Sequence, residues 1–223
     1  MRTDHDFHTR YLHVDDIDKI LNLQQTVKDS LEIAAVLEPL TKEEFQYILT
    51  GNGCMIGIFT DEQLIAFRAM LIPGHDPEHL GYDGELAEDE LDKVIYSEIS
   101  NVHPYYRGYG LQTYMGKRLM EDMDTERFRY VATTVSPYNI PSIKDKLRLG
   151  MTIVSLKEKY GGKLRYVLWR DLTAHASSPS TKGILVQTKD IQKQQTLLKK
   201  DLVGVSLNQQ DGEWYVYYTQ MNG

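Results

Sequence analysis

The chain has 223 residues, 41% of them hydrophobic and 26% charged, with a formal net charge of -7. That is enough apolar material for one large domain, or for a domain with an appendage, without staples. The acidity argues against a nucleic-acid binder, whose face would be basic. The single cysteine, Cys54, excludes an internal disulfide and a cysteine-rich zinc centre.

The opening "MRTDHDFHTR" lacks the apolar segment of a secretory signal. No apolar run reaches the ~18 residues of a membrane span. The expected location is the cytoplasm, with no membrane contact.

"RYLHVDDIDKILNLQQTV" predicts a short strand and then a helix. Asp15 or Asp16 is placed to cap it, and Ile17, Ile20, Leu21 and Val27 share one face. "LTKEEFQYIL" opens a second helix, with Thr41 and Glu44 at capping-box spacing and Phe45, Ile48 and Leu49 as its buried stripe. "CMIGIFTDEQLIAFRAMLI" reads as a hairpin that turns at residues 60–63. The following stretch holds Asp76, Glu78, Asp83, Glu85, Glu88, Asp89, Glu90 and Asp92 without a lysine or an arginine. It is either a solvated charged segment or an acidic lip that attracts an amine.

"KVIYSEISNVH" predicts a strand, "GLQTYMGKRLMEDM" a helix and "RYVATTVS" a strand. "NIPSIKDKLRLG" predicts a helix with Asn139 at its cap, Pro141 in its first turn and Gly150 just past its end. "MTIVSLKEKYGGKLRYVLWRDL" predicts a hairpin around Gly161 and Gly162. Residues 173–182, rich in Ser and small residues, read as a linker. Beyond lie "ILVQ", a polar helix over 189–200, and the strands "LVGVSL" and "WYVYYT". This tail is too small to fold alone, so it is expected to pack on the main body or on a partner subunit, which admits a homodimer.

The chemistry concentrates in "HPYYRGYGLQTYMGKRL", a glycine-rich turn between strand and helix. Gly108 and Gly110 permit left-handed backbone and close approach of a ligand. The next helix offers unpaired first-turn amides and the positive end of its dipole, a site for phosphate without a metal. Arg107 adds a fixed charge. A P-loop is excluded, because five residues separate Gly110 from Gly116 and Arg118 follows Lys117. A Rossmann turn fits poorly, because "GYGLQT" ends in Thr113 and hairpins precede it.

"VHPYYRGYGLQ" resembles the acetyl-CoA-binding motif of the GNAT superfamily of N-acyltransferases, R-x-x-G-x-G/A after a strand. Arg107, Gly108, Tyr109, Gly110 and Leu111 fall in register, and Gln112 stands where Gly or Ala is usual. "TTVSPYNIPSIKDKLRLGM" resembles a later motif of the same family through Pro137, Asn139, Ser142, Gly150 and Met151. The resemblance covers about 10–171.

It implies an α+β, three-layer fold, with a mixed, mostly antiparallel central sheet flanked by helices. Residues 1–172 would form the N-acetyltransferase domain and 183–223 a small α+β extension. It further implies acetyl-CoA as cosubstrate, no metal, and transfer of the acetyl group to the primary amine of a small molecule or peptide. The pantetheine arm would pair with a bulged strand ending at Val102 and His103. The pyrophosphate would rest on the amides of Arg107, Gly108, Tyr109, Gly110, Leu111 and Gln112. Asn139, Ser142 and Lys146 would approach from the next helix. The family's tyrosine acid is replaced by Lys146. Glu98 shares parity with Ser100 and Val102, hence their face if no bulge intervenes, and is the candidate base. The alternative function is an acyl-CoA-binding regulatory module without turnover.

Overall fold

A computed structural model describes residues 6–31, 37–74, 76–174 and 179–221. They form two compact units, Met1–Gly74 with Ile95–Met123, and His75–Val94 with Asp124–Gly223.

The first unit contains β1 (His8–Tyr11), α1 (Ile17–Asp29), α2 (Lys42–Leu49), β2 (Gly53–Thr60), β3 (Gln63–Leu71), β4 (Val94–Val102) and α3 (Leu111–Glu121). Its strands lie in the order β1-β2-β3-β4, each antiparallel to its neighbour. The expected hairpin turns at Asp61 and Glu62, whose φ values of 46° and 66° give the backbone twist that joins two strands in two residues. The expected capping box starts α2: Thr41 Oγ1 accepts from the Glu44 amide at 3.2 Å, and Glu44 accepts from the Thr41 amide at 2.7 Å.

At α1 the outcome differs. Asp16 stands at the cap position, but its side chain makes no cap bond to the helix. It accepts instead from the two terminal nitrogens of Arg10, at 2.7 and 2.8 Å, and from the His13 amide at 3.0 Å. A bidentate guanidinium outcompetes the helix amides for one carboxylate. The core joins Ile20, Leu23 and Val27 of α1 to Phe45 and Ile48 of α2, and to Met55, Phe59, Phe67, Ala69 and Ile99 of the sheet.

The second unit contains 3-10 turns at Leu80–Gly84 and Glu88–Lys93, then β5 (Tyr130–Val135), α4 (Ile140–Arg148), β6 (Thr152–Lys159) and β7 (Lys163–Asp171). The chain continues through β8 (Pro179–Gln187), α5 (Ile191–Leu198), β9 (Val203–Gln210) and β10 (Glu213–Met221). Strand order here is β5-β7-β6-β9-β10-β8. The linker expected at 173–182 is shorter, since β8 already starts at Pro179, opposite Met221. Thr219 Oγ1 reaches the carbonyls of Ser180 at 3.1 Å and Lys182 at 2.9 Å, so the partner strand overrides the loop-like composition. Residues 175–178 and 222–223 of the linker and tail lie outside the described residues.

The tail strands share this unit with β5, β6 and β7. β9 meets β6 at Gly204 and Ile153. Buried Gln194 of α5 accepts from Tyr166 of β7 at 2.5 Å and from Tyr218 of β10 at 2.9 Å, and donates to the Thr188 carbonyl at 2.9 Å. Lys144 of α4 places its ammonium 3.8 Å from the centre of the Trp214 ring.

Candidate functional site

β4 carries one residue more than β3 across the middle of their ladder. Ala69 pairs with Ile99, but the next pair is Met70 with Ser97, which leaves Glu98 as the extra residue. The expectation that Glu98 follows the simple parity of Ser100 and Val102 therefore fails, because a bulge breaks the alternation. Side-chain bonds show the result. Arg68 donates from Nη2 to Ser97 Oγ at 2.9 Å and from Nη1 to the Gln112 carbonyl at 3.1 Å. Gln112 Nε2 in turn donates to Ser100 Oγ at 2.8 Å. Ser97 and Ser100 thus serve one polar network, although strict alternation would put residues three apart on opposite faces. Glu98 itself is half-buried.

Past the bulge, Asn101 pairs with Phe67 and Val102 with Ala66. The His103 amide donates to the Ile65 carbonyl at 2.8 Å and closes the ladder. His103 then caps a 3-10 turn at Pro104–Tyr106, its Nδ1 accepting from the Tyr105 amide at 3.3 Å. In that hydrogen-bonding role its ring orders the approach to the glycine turn.

In the turn itself, Gly108 has φ 85° and Gly110 φ 77°, and a Cβ built on either meets no protein atom within 4 Å. Both glycines answer to backbone conformation, with open space in front of them. Gly110 is the N-cap of α3 and brings no side-chain acceptor to the first-turn amides of Leu111 and Gln112. Leu111, Met115 and Leu119 bury the other side of the helix. Tyr109 packs edge-on against Phe7, centroids 5.9 Å apart, and Phe7 also meets Tyr106 at 6.0 Å. Exposed Arg107 donates from Nη2 to Ser30 Oγ, at the end of α1, at 2.7 Å. A neutral hydroxyl is a weaker partner for a guanidinium than a phosphate would be.

Two left-handed glycines, open space over them, a helix start without a capping side chain and a nearby arginine fit an anionic group such as a pyrophosphate. The first unit brings together eight expected residues: Val102, His103, Arg107, Gly108, Tyr109, Gly110, Leu111 and Gln112. The remaining three lie in the second unit, on α4. Asn139 caps that helix, its Oδ1 accepting from the Ser142 amide at 3.2 Å. Ser142 is half-buried. Lys146 is only 4% exposed, its ammonium 3.2 Å from Asp145.

The acidic stretch is partly tied down within the second unit. Asp83 lies 2.5 Å from Lys157 and 3.5 Å from Lys159, and the Lys159 ammonium donates to the Glu78 carbonyl at 2.7 Å. Glu90 meets Lys93 at 3.4 Å. These acids neutralise neighbouring lysines, which weakens the acidic lip as a lure for amines.

Sequence reasoning passed over Arg68, Ser97 and Ser100. A signal for Arg68 existed: it is the only charged residue in "QLIAFRAML", and a charge inside such a strand must be bonded.

No protein-family model and no curated protein matches the chain. Solved structures do match. NAA60 from Arabidopsis thaliana, in complex with acetyl-CoA, superposes with a TM-score of 0.59 at 17% identity, covering 75% of this chain and 99% of its own. An acetyltransferase of the GNAT family from Streptococcus pneumoniae gives a TM-score of 0.56 at 13% identity, over 74% of this chain and 99% of that one. A putative acetyltransferase from Salmonella typhimurium, solved with its cofactor acetyl-CoA, gives 0.55 at 14% identity, over 79% and 99%. With its mostly antiparallel sheet and flanking helices, the chain has the fold of the GNAT N-acetyltransferases.

Proposed function

We propose that the protein is an acetyl-CoA-dependent N-acetyltransferase acting on a primary amine of a small molecule or peptide. The observation that carries this reading is the 107–112 turn, two left-handed glycines at the uncapped start of α3, on a fold shared with N-acetyltransferases. Acetyl-CoA would supply an activated acyl group: the amine nitrogen bonds to the thioester carbon, the carbon–sulfur bond breaks, and the sulfur leaves with a proton.

The chain's residues have three tasks. The turn and Arg107 hold the phosphates, with Arg107 exchanging its Ser30 bond for a charged partner. Glu98, the extra residue at the β4 bulge, takes the amine proton directly or through water. Bulges re-aim side chains, which suits a base that must leave the ladder's alternation. Asn139, Ser142 and Lys146 remain proposed contributors from α4, with Asn139 acting through the helix start it caps. Residues 1–172 form the catalytic domain in this reading, and 183–223 an extension.

The test is release of free CoA from acetyl-CoA across a panel of amines. The protein's own thiol adds little background, since burial pushes Cys54 up to about 11. Amine-dependent release is expected. Tight acetyl-CoA binding with no release for any amine would favour a regulatory acyl-CoA-binding module.

A further inference from the structure

A bulge leaves one residue out of the ladder wherever it sits, so the ladder alone fixes its position weakly and side chains must do so. On β4 two serines carry that information. Arg68 holds Ser97 Oγ at 2.9 Å and the Gln112 carbonyl at 3.1 Å, and Gln112 Nε2 holds Ser100 Oγ at 2.8 Å. Both hydroxyls reach this network only while one extra residue stands between them. With the bulge moved ahead of Ser97 or past Ser100, ordinary alternation returns between the two, and one hydroxyl turns to the other face of the sheet. Ile99 pairs with Ala69 and enters the apolar core, which leaves Glu98 as the extra residue.

Resting on the acetyltransferase reading above, we infer that Gln112 is a positioning residue for the reaction: its side chain, together with Arg68, holds the β4 bulge at Glu98 and so keeps the proposed base in place. Gln112 has three polar groups with three separate tasks. Its amide lies in the first turn of α3, where the phosphates are proposed to rest. Its carbonyl accepts from Arg68, and its carboxamide donates to Ser100. The Gly or Ala usual at this place in the resembled motif would keep the first two and lose the hold on Ser100. Arg68 has no solvent exposure and Gln112 is half-buried, so water competes little for these bonds. Loss of the carboxamide therefore acts on the placement of Glu98, while the backbone amides of the turn remain for the phosphates.

The test is steady-state CoA release with the amine of the panel that gives the highest rate. It compares the wild type, Gln112→Met, Ser100→Ala and Ser100→Thr, and also Glu98→Gln with and without Gln112→Met. Gln112→Met keeps the bulk and removes the donor. It and Ser100→Ala should each lower kcat about ten- to a hundredfold, the scale of a misplaced catalytic group, with the KM for acetyl-CoA unchanged. Ser100→Thr keeps the hydroxyl and should retain wild-type kcat. Added to Glu98→Gln, Gln112→Met should cost nothing further, because the residue it positions is already disabled. A merely structural role would lower turnover alike in both backgrounds. Wild-type kcat in both Gln112→Met and Ser100→Ala, or an equal loss with and without the Glu98 carboxylate, would overturn the inference. The wild type separates the two levels: if no amine releases CoA from it, the proposed function fails and the inference falls with it. If the wild type turns over and the variants are indifferent, only the inference fails.

Discussion

The guanidinium of Arg68 on β3 donates to the carbonyl of Gln112 in the first turn of α3, at 3.1 Å, from a position with no solvent exposure. The same group holds Ser97 at the edge of the β4 bulge. One buried cation thus joins the two features that the proposed chemistry needs, the anion-binding turn and the strand irregularity at Glu98. Replacing it with Met should leave the Gln112 carbonyl and the Ser97 hydroxyl without this donor in the interior. A loss of about 3 kcal/mol is expected, the scale for breaking a buried charged network. Chemical denaturation measures it. Arg68→Lys should recover only part, because one ammonium does not reproduce the fork.

The tail gives a second prediction. Gln194 accepts from Tyr166 and Tyr218 at once, so Gln194→Leu strands two buried phenols and should cost about 2–4 kcal/mol in denaturation. Burial pushes both phenols well above the usual tyrosine range. The unfolded tyrosines ionise near pH ~10 while these two keep their protons when folded. Stability should therefore be fully present below about pH 10 and fall as pH rises beyond it. A denaturation series that stays flat across this alkaline range would contradict the assignment.

On the acid side, the hydrogen bonds from Arg10 hold the Asp16 carboxyl down to about 2. A carboxyl lowered in the folded state stabilises above its unfolded value of about 3.9, and that contribution is lost as pH falls through about 2. Asp16→Asn should flatten stability against pH in this window. The Arg10 side chain is 41% exposed, so the effect should also shrink at high salt.

Legibility in the sequence followed the range of the interaction. Thr41 with Glu44, Asn139 with Ser142, and the turn at Asp61 and Glu62 are settled by residues within three or four positions, and local chemistry exposes them. The glycine turn was legible for the same reason. The bulge at Glu98 was not, because it exists only in the register between β4 and β3. The network of Arg68 was hidden likewise, since its partners lie 29 and 44 residues away. Strand β8 starts inside a loop-like composition because β10 supplies its ladder.

Gly110→Val tests the turn. At φ 77° a β-branched residue is strained, and its methyls would occupy the open space a ligand must enter. Acetyl-CoA affinity should fall at least tenfold while the fold survives. Glu98→Gln should instead leave acetyl-CoA affinity intact and depress turnover, most strongly at low pH where the amine holds its proton. Wild-type turnover of Glu98→Gln at every pH would move the base elsewhere.

Binding of the acetyl-CoA pyrophosphate at the 107–112 turn is tested by following backbone amide resonances while acetyl-CoA is added to the protein. Saturable shifts at Gly108, Gly110, Leu111 and Gln112 are predicted, because their amides are the expected contacts of the pyrophosphate at the start of α3. Adenosine 3′,5′-bisphosphate should reproduce the shifts in the turn without those further along β4. Resonances of the turn that stay still through saturation, or shifts confined to another part of the chain, would contradict the account.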